Sequence, residues 1–168
     1  FVVCSERFES SYLENLGKGT FRITSLPLVA QFSPVFGMVT GDFNQDNKLD
    51  VLLVGNSYAP EISSGRDDAF IGLYLKGDGK GGFDPGSVAR SGFMADKDAK
   101  GLAKITLSDG REMILVGNND SAVQAFITSE AGSYYRAGKD DAYALVTWKD
   151  GSVYRHEFYY GSTYLSHS

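Results

Sequence analysis

Two short signatures in this 168-residue chain recur at one fixed spacing. Gly17-Lys-Gly-Thr-Phe21 returns as Gly79-Lys-Gly-Gly-Phe83, and Leu52-Leu-Val-Gly-Asn56 returns as Ile114-Leu-Val-Gly-Asn118, each after a step of 62 residues. Two independent matches at one offset read as an internal duplication, which restricts the fold to architectures built from a repeated unit. Each unit reads as strand, Gly-rich hairpin, strand, linker, strand, turn, strand. Gly-Lys-Gly supplies the positive φ of a tight hairpin, and the following Phe starts the returning strand.

Four antiparallel strands per unit describe the blade of a β-propeller. Twenty glycines with many Tyr, Phe, Val and Thr agree with strands joined by tight turns. The fold class expected is all-β, with antiparallel four-stranded propeller-type blades over 1–127 and a hairpin tail over 128–168. The unit is long for a blade, and the surplus falls in the polar stretch Ser57–Phe70.

Chemistry concentrates in Gly41-Asp-Phe-Asn-Gln-Asp-Asn-Lys-Leu-Asp50. Side-chain oxygens fall at Asp42, Asn44, Asp46 and Asp50, and the Lys48 carbonyl would add a main-chain ligand. A hard cation such as calcium needs roughly six to eight oxygens at about 2.3–2.6 Å. Asn47 stands where such loops carry Gly, and Asn tolerates the left-handed backbone. This is not an EF-hand: the twelfth position is Leu53, inside the apolar run Val51-Leu-Leu-Val54, so the ligands close early and feed a strand. The alternative is a solvated turn between strands.

The duplication sharpens that choice. Asp42, Asn44, Asp46 and Asp50 align with Lys104, Thr106, Ser108 and Glu112, so the second unit lacks most of the ligands. Ser108-Asp109-Gly110-Arg111 reads as a two-residue hairpin. A bare turn serves there, which leaves the oxygens of the first unit in need of a reason. One metal site is expected, not two.

In the tail, Ala144–Trp148 and Val153–Tyr159 flank Asp150-Gly151, a type I′ turn signal. Val153, Arg155, Glu157 and Tyr159 share one face of the second arm; Tyr154, His156, Phe158 and Tyr160 share the other. The aromatic face is expected to pack, with Trp148 as core. Cys4 follows Phe-Val-Val and reads as a small buried hydrophobe; as the one cysteine it forms no internal disulfide.

Tyr12-Leu-Glu-Asn-Leu-Gly-Lys-Gly-Thr-Phe21, Gly41–Asp50 and Asp78-Gly-Lys-Gly-Gly-Phe83 resemble the FG-GAP/VCBS repeats of bacterial surface propellers. Val146–Val153 with Glu157–Ser166 resembles the ASPIC/UnbV segment that often follows them. The resemblance implies that Asp42, Asn44, Asp46, Lys48 (through its carbonyl) and Asp50 bind calcium between blade strands. It also implies an exported or cell-surface protein that binds or scaffolds a protein or glycan, and a chain that is the C-terminal portion of a larger one. Two units do not close a propeller, so missing blades, the tail or a second copy would cover the sheet edges.

Other functions find less support. No Gly-x-Ser-x-Gly or His-Glu-x-x-His occurs, and Gly17-Lys18 and Gly79-Lys80 precede Gly, not Ser or Thr. His156 and His167 read as surface or packing residues, and Asp67 and Asp68, being adjacent, point apart on an extended chain. The chain therefore reads as non-enzymatic, against the alternative of a hydrolase with an unrecognised acidic site. A second alternative is RNA association through Tyr154, Phe158, Tyr159, Tyr160 and Arg155 of the tail. The net charge of −5 opposes it, as it opposes capture by an anionic membrane. No apolar run reaches the length of a membrane span. Recognition is expected on Ser57–Phe70 and Asn119–Ala122, since loops on rigid sheets carry binding.

Overall fold

The computed structural model describes residues 6–58, 63, 65–132, 134–148, 151–158 and 166–167. Chain order is β1 (Ser11–Gly17), β2 (Thr20–Ser25), a 3-10 turn (Leu28–Gln31), β3 (Val35–Gly41), β4 (Asp50–Gly55), β5 (Leu73–Gly77) and β6 (Phe83–Pro85). After a short helix, α1 (Val88–Ser91), come β7 (Ala99–Thr106), β8 (Glu112–Asn118), β9 (Gln124–Ile127), β10 (Tyr143–Thr147), β11 (Val153–Glu157) and β12 (Ser166–His167). The protein is all-β, its sheets are antiparallel apart from the β12–β7 pair, and the described strands close no barrel. Among the described residues no helix is long and apolar enough to cross a membrane.

The strands of the first unit fall where the sequence places them, but they do not form one sheet. β1 and β2 pair with each other alone, whereas β3 and β4 pair with β5 and β6 in a four-stranded meander. The second sheet runs β12-β7-β8-β9. Burial explains the choice. Every residue of β4 is buried, so that strand needs a neighbour on each side and a layer on each face. All six residues of β2 are exposed, and one hairpin partner suffices.

Alternation along β4 divides the core into two layers. Leu52 and Val54 point at the second sheet and join Val39, Ala99, Leu102, Ile114 and Val116. Val51 and Leu53 point the other way, to Ala30, Phe70, Leu73 and Leu75, with Leu26 and Val29 of the β2–β3 connection packed on top. At roughly 1.5–3 kcal/mol for each fully buried aliphatic side chain, these two layers hold the first sheet in place.

The hairpins keep the glycines where positive φ is required. Lys18 (φ 53°) and Gly19 (φ 76°) form the two-residue turn of β1–β2. The hairpin between β7 and β8 is one residue longer than its sequence suggests. Leu107 N–H donates to the Arg111 carbonyl at 2.8 Å and Gly110 N–H to Leu107 at 3.0 Å, leaving a three-residue loop with Gly110 at φ 84°. A type I turn closed by a left-handed glycine accounts for it. At the tail hairpin Trp148 N–H donates to the Ser152 carbonyl at 2.8 Å and Gly151 is left-handed at φ 86°, while Asp150, the other half of the expected type I′ pair, lies outside the described residues.

The β10–β11 faces divide as the alternation requires. Trp148 stacks on Tyr154 (centroids 5.9 Å) and His156 meets Phe158 edge-on at 5.4 Å. Neither hydrophobic cluster contains a residue of this hairpin, so Trp148 is half-buried in a ladder of rings and not part of the main core. Cys4, Tyr159, Tyr160, the side chain of His167 and most of the stretch 59–64 lie outside the described residues.

Candidate metal centre

The loop from Gly41 to Asp50 joins β3 to β4 and is shaped by its own side chains. Asp42 accepts hydrogen bonds from the backbone N–H groups of Asp46 (3.0 Å) and Asn47 (2.8 Å). Asn44 Oδ1 accepts from Asp46 N–H at 2.9 Å, and Asp46 Oδ1 from Lys48 N–H at 3.1 Å. The last two are Asx turns, in which a short polar side chain accepts from the backbone two residues on, while Asp42 reaches four and five residues ahead and closes the loop. Asn47 is left-handed at φ 63°, as its place in the loop requires, and Gln45 is left-handed too at φ 59°. Nothing in the sequence marks Gln45 for that role.

Asp50 begins β4 and is fully buried. Its carboxylate accepts from Gly77 N–H (2.9 Å), Phe43 N–H (3.2 Å) and the Tyr74 hydroxyl (2.8 Å). Among the described residues no Lys, Arg or His bonds to it. Burial raises its pKa above the ordinary carboxylate value, against the opposing hydrogen bonds from Gly77 and Tyr74. Gly77 is required for this contact: a Cβ there would stand 2.0 Å from the Leu49 carbonyl oxygen. The Tyr74 hydroxyl also accepts from the Asn44 amide at 2.9 Å, and burial with the Asp50 bond raises its pKa well above the ordinary phenol.

The nearest cation is Lys76 on β5, which binds Asp46 Oδ2 at 2.9 Å. Partial burial works against ionisation of Asp46, yet Lys76 prevails and lowers its pKa. The Lys76 ammonium is held above its usual value, first by the Asp46 hydrogen bond. Asp42, Asn44 and Asp46 thus share one coil of loop, while Asp46 is drawn toward Lys76 and Asp50 toward β5. Among the described residues no three His, Cys, Asp or Glu side chains gather as a metal cluster. Asn44 and the Lys48 carbonyl are oxygen donors outside that set.

Tyr74, Lys76 and Gly77 are the residues that sequence reasoning missed. Tyr74 and Gly77 lie 24 and 27 positions beyond Asp50 and reach it only because β5 pairs with β4, while Lys76 between them reaches Asp46. Comparison with protein-family models, with curated proteins and with solved structures finds no match. The site therefore rests on its own geometry and chemistry.

That chemistry accommodates a hard cation. Each carboxylate oxygen has two lone pairs, so the N–H bonds to Asp42 and Asp50 leave acceptor capacity. Among the described residues no cationic side chain contacts the buried Asp50 carboxylate directly.

The corresponding hairpin of the second sheet is arranged otherwise. Lys104 Nζ pairs with Glu112 Oε1 at 3.2 Å and donates to the Thr40 carbonyl at 3.0 Å. Both residues face the first sheet, beside the start of the acidic loop. The loops expected to carry recognition are tied down in part. Ser57 and Asp67 form a two-way backbone bridge at 2.8 Å, and Arg66 lies over the Tyr58 ring. Asn119 Nδ2 donates to Asp98 Oδ2 at 3.0 Å, and Asn118 Nδ2 donates to the Ala122 carbonyl at 2.8 Å.

Proposed function

We propose that this chain is a calcium-stabilised, non-catalytic module of FG-GAP/VCBS type, its two larger sheets serving as propeller blades in an exported protein that binds or scaffolds a protein or glycan. The observation that carries the metal reading is Asp50: a fully buried carboxylate with hydrogen-bond donors around it and, among the described residues, no cationic side chain bonded to it. A buried charge without a partner is costly, and a bound cation removes that cost. Asp42, Asn44, Asp46 and the Lys48 carbonyl lie on the same loop to complete the ligand set. Blade identity, export and surface display are supported by the sequence resemblance, and the tail belongs to the same resemblance.

Calcium here has a structural role. An ion that binds only the folded loop stabilises it by mass action. Thermal unfolding with calcium and with a chelator tests this in the wild type and in Asp50→Asn. Calcium should raise the melting temperature of the wild type and leave the variant unmoved. Identical curves for the wild type with and without calcium would overturn the proposal.

A further inference from the structure

Beside the acidic loop, the seam between the two larger sheets opens into a cleft of about 980 Å³. That volume is at the upper end of those of small-molecule sites. Its floor is the outer margin of the inter-sheet core, with Tyr74 and Phe126 partly exposed and Phe93 set edge-on to Phe126 at 4.9 Å. Ser87, Ser91 and Thr128 line the walls; the Thr128 hydroxyl accepts from Glu112 N–H and donates to the Glu130 carbonyl, and the Ser91 hydroxyl accepts from Phe93 N–H and keeps its proton to donate. Two cations, Lys76 and Arg90, and one acid, Asp84, complete the rim.

The two cations differ in availability. Lys76 is engaged by Asp46. Among the described residues the Arg90 guanidinium makes no hydrogen bond or ion pair, and its charge disfavours that of Lys76. An unpaired guanidinium beside exposed ring faces and hydroxyl groups, in an open cleft, does not fit an apolar ligand. It fits one with an apolar face, several hydroxyls and a carboxylate.

We propose that this cleft is a binding site for a short saccharide carrying a carboxylate, that is, a uronic-acid oligosaccharide. The sugar's C–H face lies on Tyr74 and Phe126, its hydroxyls meet Ser87 and Ser91, and its carboxylate takes the planar fork of Arg90. The assignment rests on the binding-module reading and names its ligand class, but it does not depend on calcium. The loop and the cleft share a wall: Phe43 and Asn44 line the cleft, and Asn44 and Asp50 both bond the Tyr74 hydroxyl.

Calorimetric titration with trigalacturonate tests the assignment, with maltotriose as the neutral sugar and benzoate as a carboxylate without a sugar. Trigalacturonate should bind at least tenfold more tightly than either. Arg90→Ala should weaken it at least tenfold while leaving the melting temperature within about a degree, and Arg90→Lys should restore part of the loss. Absence of trigalacturonate binding, binding unaffected by Arg90→Ala, or equal binding of benzoate would each overturn the proposal. Repeating the titration in calcium and in chelator separates the two readings. Binding that survives where calcium produces no thermal shift removes the metal and keeps the cleft; a thermal shift without binding does the reverse.

Discussion

Between Gly41 and Asp50, and again between Thr106 and Glu112, the chain turns from one strand of a four-stranded sheet into the next. The first turn keeps three aspartates and gives its buried one, Asp50, only N–H and O–H partners. The second turn supplies its own cation, Lys104, and bonds it to Glu112 at 3.2 Å. The two are in contact through Lys104 Nζ and the Thr40 carbonyl. The contrast separates two ways of holding the end of a sheet: an ion pair encoded in the chain, and a buried carboxylate held by N–H and O–H donors.

The comparison breaks most sharply at Asp50. Asp50→Ala strands two backbone N–H groups and the Tyr74 hydroxyl, at about 1 kcal/mol each or more, so a loss of roughly 3 kcal/mol in urea unfolding is expected. A loss below about 1 kcal/mol would show that Asp50 does not anchor β5. Next in size is the calcium response, roughly 2.7 kcal/mol at a hundredfold excess over Kd. Glu112→Gln should keep that response, because the second turn has its own cation, and Lys76→Met should tighten calcium binding by freeing Asp46; a response lost in Glu112→Gln would place the ion in the wrong turn.

A smaller effect is expected in the second turn. Lys104→Met leaves Glu112 and the Thr40 carbonyl without a donor, in a half-buried setting where about 1–2 kcal/mol is expected by chemical denaturation. A neutral result would make the ion pair dispensable.

The smallest effect is in pH. The folded pKa of Asp50 is raised, so the folded state binds its proton more readily and, without calcium, stability increases as pH falls from that raised value toward 3.8. Asp98 is the opposite case. Burial alone would raise it, but the bonds from Lys100 and Asn119 lower its pKa, so its contribution is present above 3.8 and lost below. Melting curves of the wild type and Asp50→Asn should converge or diverge by about one to two degrees across pH 4–6, with the wild type gaining relative to the variant toward pH 4. The reverse trend would contradict the assignment for Asp50.

Much of this was legible in the residues. Alternating Asp and Asn before Val51-Leu-Leu-Val54 marked both the loop and the strand after it, and the left-handed Asn47 followed from its place among the ligands. The partners of Asp50 were not legible, because Tyr74 and Gly77 meet it through strand pairing and not through spacing. The phase of the sheets was also hidden. A 62-residue repeat says which strands are alike, not which neighbour each pairs with; the unbroken apolar run of β4 was the available sign that it would be flanked on both sides. Among the described residues the tail aromatics pack as one face, as expected, but Trp148 is not part of the main core, since ring-to-ring contact within a hairpin satisfies it locally.

Gly37 sets a limit on the whole arrangement. On β3 it lies so close to the second sheet that a Cβ would stand 2.7 Å from the Leu102 nitrogen and 2.9 Å from the Gly101 carbonyl carbon. Backbone meets backbone there, while farther along the same seam Tyr74 and Phe126 leave room for a cleft. The seam at Gly37 therefore admits no side chain, and any residue other than glycine there has to push β3 away from β7.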